Sequence, residues 1–207
     1  MTIDGVPLIY VVDDDAGMRD SLAFLIESSG YVCIGYPSSE AFLEHYQADR
    51  CGCLVVDVRM PGMSGLDLQR ELNGRGTTLG LVFISGHGDI PMAVRAIRDG
   101  AVEFLEKPFN DQVLLDRIAE AVRRSVEASK RKTQHTHLKD RLSRLTPRER
   151  EVMDLVVEGK PNKLIAAELN IAMKTVEVHR HNVMEKMRVG SVAELARQLS
   201  GEIRENP

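Results

Sequence analysis

Over residues 1–125, short apolar runs alternate with stretches whose apolar residues recur every third or fourth position. The runs LIYVVD (8–13), VCIGY (32–36), CLVVD (53–57), LGLVFIS (79–85) and VEFLE (102–106) predict strands, because continuous β-branched and apolar residues suit a strand buried on both faces. Between them, Met18, Leu22, Leu25 and Ile26, then Phe42 and Leu43, then Leu66, Leu68 and Leu72, then Met92, Ala93, Ala96 and Ile97 fall at helical spacing. Gly30, Gly74 and Gly100 stand where those helices should stop. Five such repeats predict an α/β fold, a doubly wound (βα)5 parallel sheet covered by helices on both faces. A further helix from Asp111 runs through Leu114, Leu115, Ile118, Ala119 and Val122.

The pattern changes at SKRKTQHTHLKDRLSR. Residues 126–144 read as a linker. Leu138, Leu142 and Leu145 allow it to continue as a helix, so a semi-rigid and a flexible connector both remain open. TPRE (146–149), with Pro147 at the first helical position, and SVAE (191–194) are capping boxes that announce helices. Pro161-Asn162 and Ile171-Ala172 punctuate the interval into about four short helices without a strand candidate. Residues 145–207 therefore form a small all-α domain, and residues 1–125 the larger one.

At 207 residues and 43% hydrophobic composition the chain can bury real cores. It has no apolar run near the roughly 18 residues that span a bilayer. MTIDGVPLIYVV lacks the basic head and cleavage site of a signal peptide. The expectation is a cytoplasmic protein with no membrane partner. Cys33, Cys51 and Cys53 are an odd number without framework spacing, which fits a reducing compartment. CGC (51–53) could chelate a soft metal, but ordinary packing is the better reading, because no second Cys or His cluster lies near it in sequence. Residues 1–125 carry 11 Lys and Arg against 19 Asp and Glu, whereas residues 126–207 carry 16 against 12. A basic tail on an acidic protein points to a local polyanion site.

In an open parallel sheet ligands gather beyond the carboxyl ends of the strands. That rule brings together Asp13 and Asp14 at the end of the first strand, Asp57 at the third, Ser85 at the fourth and Lys107 after the fifth. Crowded carboxylates repel one another unless a cation sits among them, and all-oxygen donors suit Mg2+. A carboxylate held ionised in this way can attack phosphorus. Lys107 would pair first with Asp57 and then with the phosphoryl group, to which the Ser85 hydroxyl would donate.

VVDDD (11–15), VVDVRMPGMSG (55–65), VFISGHGD (82–89) and FLEKPF (104–109) resemble, in order and spacing, the signatures of a bacterial response-regulator receiver domain. The likeness covers roughly residues 5–125. It implies that Asp57 accepts phosphate from a sensor histidine kinase. It also implies that Asp13, Asp14, Asp57 and the backbone carbonyl of Arg59 serve Mg2+, Asp13 through water. Ser85 and Phe104 would form a switch pair, and Lys107-Pro108 a cis peptide. Asp15 extends the acidic run without serving as a direct ligand.

Residues 145–199 resemble the LuxR-type helix-turn-helix domain of the NarL/FixJ family. NKLIAAEL reads as the first helix, NIA as the turn and MKTVEVHRHNVMEKM as the second helix. Val176, Val183 and Met187 mark its packed face, and Lys174, Thr175, Glu177, His179, Arg180 and His181 the other. Lys163, Lys174 and Arg180 are candidate phosphate contacts; Thr175, Glu177, Val178 and His181 are candidate base-edge contacts. Two departures stand out. Ala172 replaces the family's capping Ser, and Glu177 stands where many relatives have Lys. The triplets HTH (135–137) and HRH (179–181) read as exposed polar positions rather than metal ligands.

The two resemblances together imply a phosphorylation-gated transcription factor, not a turnover enzyme. It would dimerise through the fourth helix and fifth strand, with Val192, Leu195, Ala196 and Leu199 as a second contact. It would bind promoter DNA, with RNA polymerase as a further partner. GHGDIPMAVRAIRDGAVEFLEKPF leans towards the FixJ branch and towards regulators of aromatic-hydrocarbon breakdown. Two other readings stay open: a Mg2+-dependent phosphatase with Asp57 as nucleophile, against which Arg59 replaces the second Asp such enzymes need, and a regulator with a vestigial pocket.

Overall fold

A computed structural model describes residues 7–48, 50–86 and 90–203. The N-terminal MTIDGV and residues 87–89, which close the third motif and open the fourth expected helix, lie outside the described residues. The chain divides into two compact units, Met1–Lys130 and Arg131–Pro207.

In the first unit β1 (Leu8–Val12), β2 (Val32–Tyr36), β3 (Gly52–Asp57), β4 (Gly80–Ser85) and β5 (Glu103–Glu106) form a parallel sheet in the order β2-β1-β3-β4-β5. Each strand lies within one residue of its expected bounds. The helices are α1 (Ala16–Ser28), α2 (Ser39–His45), α3 (Gly65–Gly74), α4 (Ile90–Arg98) and α5 (Asp111–Ser143). Because strand side chains alternate, Leu8, Tyr10, Val12, Leu54, Val56 and Phe83 face one way and pack on Phe42, Leu68, Leu72 and Ala96 of α2, α3 and α4. Ile9, Val11, Cys53, Val55, Val82 and Ile84 face the other way, against Leu22 and Ile26 of α1 and Leu114, Ile118 and Ala121 of α5. The doubly wound sheet is thereby realised.

Several local expectations are corrected. Gly30 (φ +85°) and Gly100 (φ +97°) do end helices in the left-handed region, but Gly74 is the last helical residue of α3 and the left-handed turn falls at Gly76 (φ +65°). On α5 the buried alanine is Ala121, whereas Ala119 is exposed, because the packed stripe follows Leu114, Ile118, Ala121 and Ser125. On α4 only Ala96 is buried; Ile97 is exposed. Cys33 and Cys53 flank Ile9 in register; Cys53 is buried, Cys33 and Cys51 are half-buried, and all three are free thiols. Burial pushes the Cys33 thiol up to about 11.

The second unit is built from α6 (Pro147–Val157), α7 (Asn162–Glu168), α8 (Met173–Met187) and α9 (Val192–Ile203). Its core gathers Val152, Met153, Val156, Ile165, Val176, Val183, Met187 and Leu195. Leu138 and Leu145 are buried in the same core, so the end of the presumed linker packs with this unit. At TPRE both halves of the capping box form. At SVAE the Ser191 hydroxyl accepts from Glu194 N–H, but the Glu194 carboxylate accepts from Gly190 N–H, one residue earlier than a box requires. Leu195 is fully buried, and Val192 and Leu199 pack against the unit's own core. Of the expected second dimer contact, Leu195 is therefore spent inside the domain, whereas Val192, Ala196 and Leu199 are half-buried.

Candidate functional site

The strand order reverses between β1 and β3, and the chain leaves those strands on opposite faces of the sheet, opening a crevice at their carboxyl ends. Val12 pairs in register with Val56, so Asp13 and Asp57 occupy the next rung. Both carboxylates are buried, at 1% and 7% exposure. Lys107 Nζ lies 2.9 Å from Asp13 Oδ2 and 2.8 Å from Asp57 Oδ1. Its backbone N–H donates to the Ser85 carbonyl at 2.8 Å, and the following bond to Pro108 is cis. Burial works against the ammonium, but the hydrogen bonds to Asp57 and Asp13 outweigh it and hold the lysine pKa above its ordinary value.

The remaining oxygens are also engaged. Asp57 Oδ2 accepts from Arg59 N–H at 2.7 Å, and Asp13 Oδ1 from Asp15 N–H at 2.9 Å. Each oxygen keeps lone-pair capacity for a further partner. Gly65 lets α3 approach this point, since a Cβ there would lie 2.3 Å from the Asp57 carbonyl oxygen. Asp14 is exposed. Among the described residues no three Asp, Glu, His or Cys side chains stand close enough to share an ion, so the expected three-carboxylate cluster is met as a pair, Asp13 and Asp57, joined by Lys107. Asp14 stands on the bend between β1 and α1, where strand alternation no longer fixes which side a residue faces. Ser85 is buried at the end of β4. Phe104 pairs with Phe83 across the sheet and stacks on it at 6.2 Å.

In the second unit α7, a short turn and α8 follow in the expected order, α8 with its expected bounds and α7 ending one residue early at Glu168. Val176, Val183 and Met187 face the core. Lys163, Lys174, Glu177, Val178 and His181 are exposed; Thr175 and Arg180 are half-buried. Arg180 Nη1 donates to Asn162 Oδ1 at 2.9 Å, fastening α8 to the first turn of α7. His179 departs from the expected exposed face: it is half-buried, and its Nδ1 is enclosed without a hydrogen-bond partner among the described residues. Ala172 starts α8 with no side-chain cap.

The model of the response regulator receiver domain matches residues 9–119, and that of the bacterial regulatory proteins of the luxR family matches residues 143–199. The chain is 44% identical over 189 residues to the transcriptional regulatory protein FixJ of Azorhizobium caulinodans, covering 91% of this chain and 90% of that one. It is 43% identical over 194 residues to the response regulator protein TodT of Pseudomonas putida, covering 94% and 86%. The solved structure of the response regulator StyR superposes with a TM-score of 0.87 at 44% identity, covering 95% of this chain and 99% of that one. The chain is a response regulator of the NarL/FixJ family. It joins a receiver domain to a LuxR-type DNA-binding domain, as transcriptional regulators of this family do.

Three contributions to this response regulator escape a reading by motif. Asp15, third in the acidic run, caps α1 by accepting from Met18 N–H at 3.2 Å, and a helix beginning at Ala16 is the signal for it. Ser125 is a buried hydroxyl on the apolar stripe of α5, and its place four residues after Ala121 would have flagged it. Glu149, read only as half of a capping box, also accepts from Lys186 Nζ of α8 at 2.6 Å.

Proposed function

We propose that Asp57 is the phosphoacceptor of this regulator and that its phosphorylation by a sensor histidine kinase controls promoter binding by α8. The observation that carries this reading is Lys107 Nζ set between Asp13 Oδ2 and Asp57 Oδ1. A carboxylate at the crevice with a charged hydrogen-bond donor beside it is positioned to take a phosphoryl group and to keep a counter-charge when it does. An Asp57 oxygen forms the new O–P bond as the P–N bond to the donor imidazole breaks, and the electron pair returns to that nitrogen.

The donors suit Mg2+, which accepts one or two carboxylates and keeps several waters. Asp13, Asp57 and the Arg59 carbonyl would hold it, Asp13 through water, and Asp14 would join them by turning its exposed carboxylate towards the crevice. When bound it supplies charge neutralisation for the phosphoryl oxygens. Lys107 pairs with the phosphoryl group, the Ser85 hydroxyl donates to it, and Phe104 moves into the space vacated near Ser85. The response is carried by this two-state pair and by α4, whose Ile90, Val94 and Ile97 are exposed and supply a dimer face with β5.

Dimerisation sets two α8 helices on neighbouring half-sites, with Lys163, Lys174 and Arg180 on phosphates and Thr175, Glu177, Val178 and His181 on base edges. The protein acts in the cytoplasm, with RNA polymerase downstream. Its likeness to regulators of aromatic-hydrocarbon breakdown supports an operon of that kind as its target. Among the described residues no helix is long and apolar enough to cross a membrane. Beyond losing its own phosphoryl group by hydrolysis the protein turns over no substrate. Labelling with acetyl phosphate tests the reading: the full chain takes up one phosphoryl group and Asp57→Asn takes up none, and equal labelling of both would overturn it.

A further inference from the structure

A carboxylate on the DNA-facing stripe of a recognition helix needs an explanation, because it approaches a polyanion. Glu177 is such a group. On α8 the residues Lys174, Glu177, Val178 and His181 recur at helical spacing and form one exposed stripe, opposite the buried Val176, Val183 and Met187. Glu177 Oε2 accepts from Lys174 Nζ at 3.1 Å, and the side chains are 44% and 85% exposed. The neighbouring Val178 leaves an apolar side chain 51% exposed, which the domain's own packing does not use.

In the major groove the direct base-edge partner of a carboxylate is a hydrogen-bond donor. Cytosine presents its N4–H2 group there; adenine offers N6–H2 but sets the N7 acceptor beside it, which repels a second acceptor. The apolar group that fits the same groove is the thymine methyl, which Val178 can cover.

We infer that Glu177 selects a cytosine in each half-site and Val178 the methyl of a neighbouring thymine, with Lys174 positioning the Glu177 carboxylate. The inference rests on the reading that α8 enters the major groove and goes beyond it by assigning bases to residues. The Lys174 ammonium lowers the cost of bringing Glu177 among phosphates and restricts its rotamers before binding. Lys174 is thus a positioning residue whose loss alters base preference as well as affinity.

The test uses the full chain treated with acetyl phosphate and Mg2+, first to select duplexes from a randomised DNA library and then to bind single-base variants of the selected site. For the wild type, one cytosine per half-site is required, and its replacement weakens binding about 5- to 150-fold. Glu177→Gln moves the preference at that position from cytosine to adenine, because a carboxamide pairs with adenine N6 and N7. Replacing the adjacent thymine by uracil, which removes only the methyl, weakens the wild type by a larger factor than Val178→Ala, whose shorter side chain covers less of that methyl. Lys174→Ala lowers discrimination at the cytosine position by a larger factor than it lowers binding to random duplex. Unchanged cytosine preference in Glu177→Gln, or equal sensitivity of wild type and Val178→Ala to the methyl, overturns the inference while salt-dependent binding to DNA persists. Failure of the wild type to bind any duplex at low salt overturns the underlying reading as well.

Discussion

The hydroxyl of Ser125 accepts a hydrogen bond at 2.9 Å from the backbone N–H of Gly52, tying α5 to the first residue of the strand that ends in Asp57. Both residues are buried. Gly52 has φ +154°, and a Cβ there would lie 1.8 Å from the Leu8 carbonyl oxygen. Ser125→Ala leaves that N–H without a partner, so chemical denaturation should report a loss of about 1–3 kcal/mol in the receiver transition. A change within error would mean the hydroxyl is dispensable.

Mg2+ should stabilise the receiver and do so through the acidic crevice. A ligand that binds only the native state adds about 1.4 kcal/mol at tenfold excess over its dissociation constant. Thermal melts of the full chain should shift upward with added Mg2+ and shift back with a chelator. In Asp57→Asn the response should shrink, because one of the two buried carboxylates is neutral. An undiminished shift in that variant would place the ion elsewhere.

Glu149 makes the DNA-binding domain acid-sensitive. Burial of its carboxylate acts to raise the pKa, but hydrogen bonds from Lys186 and Thr146 outweigh it and bring the value down to about 2. A depressed folded-state value contributes stability above the unfolded pKa near 4.5, and that contribution disappears as pH falls towards 2. Allowing for the partly exposed Lys186, the contribution is on the order of 2 kcal/mol. Denaturation of wild type and Glu149→Gln at pH 7 and pH 3 should show a gap between the two proteins that narrows on acidification. A constant gap would argue against the ionic contribution.

Ala172 offers a gain. Its backbone, at φ −66° and ψ 144°, already has the conformation of a capping residue, yet its methyl side chain gives no cap hydrogen bond to the first turn of α8. Ala172→Ser should stabilise the C-terminal domain by about 1 kcal/mol, read as a rise in its melting temperature. No rise would show that the first-turn N–H groups are already satisfied by solvent.

Much of the site was legible because its parts lie at strand ends. A parallel strand buried on both faces must be continuously apolar, so the first polar residue after each run marks the carboxyl edge of the sheet. Asp13, Asp57, Ser85 and Lys107 all stand there. Asp14 was harder to place, since a run of acids does not say which carboxylate turns inward. Arg180 could be read as a phosphate contact from its charge, but its bond to Asn162 depends on how closely α7 and α8 approach.

Local pattern and chemistry along the chain were enough for the strands, the helices, the Thr146 cap and the residue types at the crevice, since period, capping and turn formation act over a few neighbouring residues. Long-range packing was needed for the rest. It set Lys107 between two aspartates far away in sequence, drew Leu195 of α9 into its own domain's core, and enclosed His179. Those outcomes depend on which surfaces meet, and a helical stripe does not carry the identity of the surface that will cover it.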